Sequence, residues 1–236
     1  MSELAERKAN AIEAVTRQFA TTGTIGEPPE DAYIAIAGKR IGLQVSAIEQ
    51  RGSSERSPTR LGLRFDRVAT RLIGRLRDAL HESVPDDCTV MLTVTAPIRL
   101  PLKTAAALEE RIRGCLARAP ARAAIADTIH GNEVRIRLVG HAISGTSKLV
   151  GFVHNPDTDA GLLLDLTCSL FDCVGAQEAR RAAAALVGDQ WLVIASDAWR
   201  SHIAAYRHAW SQLSIPTGFA KVLLVPPDGQ VEPLSG

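Results

Sequence analysis

The segment from Glu30 to Ser46, EDAYIAIAGKRIGLQVS, alternates apolar with polar or small residues on both sides of a glycine. Period-two alternation around such a punctuation point specifies an antiparallel hairpin. With Gly38-Lys39 as the two-residue turn, Ala37 faces Arg40, Ile36 faces Ile41, Ile34 faces Leu43 and Ala32 faces Val45, so one face is wholly apolar. The other face carries Asp31, Tyr33, Ala35, Arg40, Gly42, Gln44 and Ser46, with Asp31 expected opposite Ser46 and Tyr33 opposite Gln44. A one-residue slip would exchange the faces of one strand, so this sorting is strongly specified. A carboxylate, an amide and a hydroxyl are thus expected to converge beside small residues that leave room for a ligand.

A chain of 236 residues can bury a sizeable core, and the expectation is a single α/β domain over residues 1–236. Hydrophobic residues at 46% are too many for disorder, and the formal charge of +1 excludes a globally basic nucleic-acid binder while leaving room for a local basic patch. Apolar runs such as Leu192-Val193-Ile194-Ala195 are far too short to cross a bilayer, so no membrane partner is expected. The charged start, MSELAERK, contains no apolar secretory segment. Cys88, Cys115, Cys168 and Cys173 form no CxxC pair, which argues against zinc and for a reduced, cytoplasmic protein.

Helical spacing is expected over residues 3–20, about 59–82 and after Pro101, where Ala105, Leu108, Ile112 and Leu116 form the inner side. A polar loop, Arg51 to Pro58, follows the hairpin. Residues 88–95 and 190–195 read as strands, and Glu133 to Val139 as a strand with one wet face, partnered by Lys148 to Val153. A short helix is expected over 176–186, then one carrying Trp199, Ile203, Tyr206, Trp210 and Leu213, then a hairpin around Pro226-Pro227-Asp228-Gly229. Helices interleaved with strands imply a mixed central sheet flanked by helices.

A helix bearing Glu6 and Glu13, the run Pro29-Glu30-Asp31 before a strand, and Arg40-Ile41-Gly42-Leu43-Gln44-Val45-Ser46 after a hairpin turn together resemble the PD-(D/E)XK nuclease superfamily in degenerate form. The likeness extends to Glu178-Ala179-Arg180-Arg181 on a later helix, followed by Gln190-Trp191-Leu192-Val193-Ile194, and covers about half the chain by order of elements. It implies a restriction-endonuclease-like sheet and a hydrolase using Mg²⁺ or Mn²⁺, with Asp31 and Gln44 as cation ligands and Glu13 orienting water or metal. The family's chemistry needs carboxylates for a hard cation and a lysine to stabilise charge on phosphate. Here Gln44 stands where Glu is expected and Ser46 where Lys or Thr is expected, so Lys39, Arg180 or Arg181 would have to supply the positive charge. These departures imply attenuated or absent phosphodiesterase activity.

Arg60, Arg64, Arg67, Arg71 and Arg75 fall at helical spacing within roughly an 80° sector, a row able to track a phosphate backbone or simply to face water. The six histidines show no HExxH or HxH spacing, and Asn155 to Asp159 lacks the Gly and Glu of a calcium loop. Aromatic residues, at 4%, offer few platforms for stacking single-stranded bases. The leading reading is a nuclease-fold protein that binds nucleic acid or phosphates. The alternative is a non-catalytic protein-interaction or regulatory module, homodimeric through an edge strand near the C-terminus and the stripe bearing Trp199 and Trp210.

Overall fold

The computed structural model of the chain describes residues 3–26, 30–48, 67–118, 124–140, 145–156, 160–184, 188–197 and 202–235. Arg60, Arg64, Trp199 and the Arg51 to Pro58 loop lie outside the described residues. In chain order the elements are α1 (Glu3–Gln18), β1 (Gly23–Ile25), β2 (Ala32–Ile36), β3 (Lys39–Ile48), α2 (Arg67–Leu80), β4 (Cys88–Thr95) and α3 (Pro101–Arg118). Then follow β5 (Ala124–Ile129), β6 (Asn132–Gly140), β7 (Leu149–His154), α4 (Ala160–Ala183), β8 (Gln190–Ser196), α5 (Ile203–Leu213), β9 (Lys221–Val225) and β10 (Glu232–Ser235). The α/β class stands, but the strands form two mixed sheets instead of one central sheet. They belong to two compact units: Met1–Arg51, Ser169–Tyr206 and Thr217–Gly236 make the first, Gly52–Cys168 and Arg207–Pro216 the second.

In the first unit the sheet order is β1-β2-β3-β8-β9-β10. The hairpin β2–β3 is present with a corrected register, Ile36 opposite Lys39, Ile34 opposite Ile41 and Ala32 opposite Leu43. The turn is Ala37-Gly38, both with positive φ (49° and 77°), because that backbone matches the right-handed twist of the strands. The slip from the expected pairing is even, so every side chain keeps its face and only its partner changes. Ala32, Ile34, Ile41, Leu43 and Val45 join Trp191, Val193 and Ala195 under Ala11, Ala14 and Val15 of α1. Burying each large aliphatic side chain there contributes about 1.5–3 kcal/mol. Strand β3 runs parallel to β8, and β8 parallel to β9.

The second unit's sheet has the order β5-β6-β4-β7, with α2 and α3 packed together. Leu72, Leu76 and Leu80 of α2 and Leu108 and Ile112 of α3 share one core with Val90, Leu92, Val134 and Ile136. Strand β7 pairs in parallel with β4, not with β6 as expected, because β6 is occupied on both sides by β4 and β5. Strand β5 escapes the sequence reading since AIADTI carries little apolar weight; the signal was the turn His130-Gly131, both at positive φ. Helix α4 is far longer than expected because Leu163, Leu164, Leu166, Leu170 and Phe171 are buried on several sides, which blurs the amphipathic stripe.

Candidate functional site

The face of the first unit's sheet turned away from α1 carries the polar residues. Gly42, Gln44 and Ser46 of β3 pair in register with Gln190, Leu192 and Ile194 of β8. Asp31 immediately precedes β2, and its backbone N–H donates to the Leu43 carbonyl. Its carboxylate accepts from the Val45 backbone N–H at 2.7 Å, from Lys8 Nζ of α1 at 3.4 Å and from an Arg180 guanidinium nitrogen of α4 at 3.5 Å. The three side chains retain 21%, 31% and 35% of their exposure, so this ion triad forms a rim open to solvent. Two cations against one carboxylate leave it net positive.

Behind the rim the site closes. Gln44 is fully buried, and among the described residues neither its amide oxygen nor its amide nitrogen has a hydrogen-bond partner. The side-chain oxygens of Gln177 on α4 and Gln190 on β8 are also buried with no partner among the described residues. Gln190 lies across Gly42, where any Cβ would collide with its amide group, and its Nε2 donates to buried Glu30 at 3.3 Å. Ser46 hydrogen-bonds the Cys173 thiol of α4; burial pushes that thiol up to about 11 against the pull of the Ser46 bond. The expected open pocket around Gln44 is therefore corrected to a rim at Asp31 over a packed polar interior.

The sequence-predicted residues separate accordingly. Asp31 and Arg180 meet. Gln44 and Ser46 share their sheet face, Gln44 fully buried and Ser46 half-buried. Lys39 is exposed in the first β3 position, five residues, or about 17 Å, from Gln44. Glu13 pairs with Arg17 at 2.6 Å on the outer face of α1 and is not brought to Asp31. Arg181, one position and about 100° round the helix from Arg180, pairs with Glu178 at 3.0 Å. Glu178 in turn accepts from the Thr217 hydroxyl and the Gly218 N–H, so this arm has a structural role. Arg67, Arg71 and Arg75 lie exposed on α2 in the second unit.

Lys8 was not singled out from the sequence. It sits three residues before Ala11 and seven before Val15, on the stripe α1 buries, and that placement was its signal. Among the described residues no group of three or more His, Cys, Asp or Glu side chains could hold a metal ion. Asp31 would offer a cation one carboxylate already engaged by two positive groups, next to a neutral amide. That donor set fits Mg²⁺ or Mn²⁺ poorly, since either binds best to free carboxylate oxygens. Comparison with protein-family models, with curated proteins and with solved structures finds no match to this chain.

Proposed function

We propose that the first unit is a nuclease-like module that binds nucleic acid or phosphate groups at the Lys8–Asp31–Arg180 rim, with metal-dependent phosphodiester hydrolysis attenuated or absent. The observation that carries the reading is Arg180, which reaches from a helix late in the chain to the acidic residue that opens β2. Support also comes from the element order: a leading helix, an acidic residue before a hairpin, then a helix and a strand parallel to β3. Arginine presents a planar fork suited to phosphate oxygens, and lysine adds a point charge. Asp31 holds both cations in place and offsets part of their charge, so phosphate competes with it for them.

The test is anisotropy of labelled duplex DNA and RNA against the full chain at several salt concentrations, for the wild type and Asp31→Asn. Losing the carboxylate frees Lys8 and Arg180, so binding tightens several-fold and its salt dependence steepens. The same samples incubated with Mg²⁺ or Mn²⁺ read hydrolysis directly. Weaker binding in Asp31→Asn, together with cleavage that the substitution abolishes, would instead make Asp31 a cation ligand. No binding by either protein at low salt removes the proposal.

A further inference from the structure

Among the described residues the two sheets leave four outer edges, and three are protected. Strand β1 is three residues long. Strand β10 carries Pro233 and a register irregularity. Strand β7 has both backbone groups of Gly151 on its outer side held by one side chain, the Gly151 N–H donating to Gln212 Oε1 at 3.0 Å and Gln212 Nε2 donating to the Gly151 carbonyl at 2.7 Å. Such devices keep unpaired backbone from recruiting another strand. Strand β5 is the least protected: six residues, no proline, no lysine, and among the described residues no strand on the side away from β6, with one backbone donor of that edge, the Thr128 N–H, held by Asp127 Oδ1 at 2.8 Å.

Alongside that edge runs a groove of about 470 Å³. One wall is a single stripe of α3, including Glu110, Arg111, Gly114 and Arg118, and the other is the Ile125, Asp127 and Ile129 face of β5. Arg111 pairs with Asp127 at 3.1 Å, which fixes the helix against the strand. Five residues separate the end of α3 from the start of β5, so the two run antiparallel. Glu110, Arg111, Asp127 and Arg118 balance in charge, a pattern that complements itself.

We propose that a second copy of this chain fills the groove, with β5 pairing antiparallel to its counterpart to give one continuous sheet. For a two-fold axis perpendicular to the sheet, residues facing across it must share a face, so the axis passes through a residue of β5. An axis at Asp127 would set two carboxylates opposite each other and is disfavoured. An axis at Ala126 sets Ile125 opposite the partner's Asp127. Moving from Asp127 to Ala126 is about 3.3 Å along the strand, and from Arg111 to Gly114 about 4.5 Å along the helix in the same direction. The same axis therefore passes near Gly114, whose missing side chain lets the two α3 helices approach, and it brings Glu110 opposite the partner's Arg118. Because α3 packs on both β5 and β6, its axis lies over their seam. The two helices then lie about 10 Å apart, within the usual range for packed helices. Nothing in this interface depends on the phosphate-binding reading.

Sedimentation velocity on the full chain tests the interface. A dimer is expected, and Ala126→Lys, an exposed substitution that sets two lysines face to face, raises its dissociation constant at least about tenfold. Arg118→Glu weakens it in the same direction, and adding Glu110→Arg to that variant restores association. Circular dichroism confirms that each variant is folded. A wild-type chain that stays monomeric up to about 100 µM, or a dimer that Ala126→Lys and the charge swap leave unchanged, overturns the proposal.

Discussion

Asp31 and Arg180, 149 positions apart in the chain, meet with the carboxylate 3.5 Å from the guanidinium, and Lys8 approaches the same carboxylate at 3.4 Å. Each pair is partly exposed, so each contributes only about 0–1 kcal/mol to folding. The cluster therefore matters more for what it can bind than for what it stabilises. Arg180→Ala is expected to lower nucleic-acid affinity and to reduce the slope of log K against log salt by about 1 while leaving the melting temperature nearly unchanged. Anisotropy at three salt concentrations and a thermal melt measure both quantities.

Gln44 and Asn132 make opposite predictions for the same chemical group. Asn132 is buried with its amide fully used: Oδ1 accepts from the Arg99 N–H at 2.7 Å, and Nδ2 lies within donating range of the Ile129 and Arg99 carbonyls and of Thr104 Oγ1. Asn132→Ala removes the acceptor of the Arg99 N–H and the side-chain donor to the Ile129 carbonyl, while Thr104 Oγ1 and the Arg99 carbonyl keep each other, and costs about 2–3 kcal/mol. Gln44 makes no such bonds among the described residues, so Gln44→Met replaces its buried amide at similar volume and stabilises by about 1–2 kcal/mol. Urea denaturation of the two variants against the wild type decides the contrast.

Acid should weaken the second unit through His208. Gln212 has its amide orientation set by the Gly151 backbone, so its Nε2 donates to His208 Nε2 at 2.5 Å and the imidazole must be neutral there. Burial lowers the His208 pKa from its ordinary value of 6.5. The unfolded chain thus takes up the proton first, and stability present above pH 6.5 declines as pH falls from there toward the folded-state value. Melting temperatures from pH 7.5 to 5 should drop less steeply in His208→Gln than in the wild type. An identical slope in the two proteins would remove His208 as the cause.

The exposed Arg71 and Arg75 test whether α2 takes part in phosphate binding. If the row tracks a nucleic-acid backbone, the double variant to glutamine reduces the salt slope by about 2 without lowering the melting temperature. An unchanged slope assigns these side chains to a solvated helix face.

The alternation in residues 30–46 determined, without help from the rest of the chain, that a hairpin forms and which side chains share each face, because a strand's period is set by local backbone geometry. It did not determine the pairing: an even slip preserves the faces, and the choice of Ala37-Gly38 over Gly38-Lys39 follows from the twist that the turn must match. Asp31 stood out as a candidate site residue since it lies at the start of a strand beside a hairpin; of its two partners, Arg180 was named only through the family resemblance, and Lys8 was not named. Lys8 comes from α1 and Arg180 from α4, and no local rule relates helices at such separations. Likewise Gln44 reads as an exposed sheet residue yet is fully buried, since burial of a strand's second face depends on which elements return to pack there. Faces and turns belong to short-range sterics; the division into two sheets, the burial of Gln44 and the place of β5 at a sheet edge arise only once distant segments have chosen their neighbours.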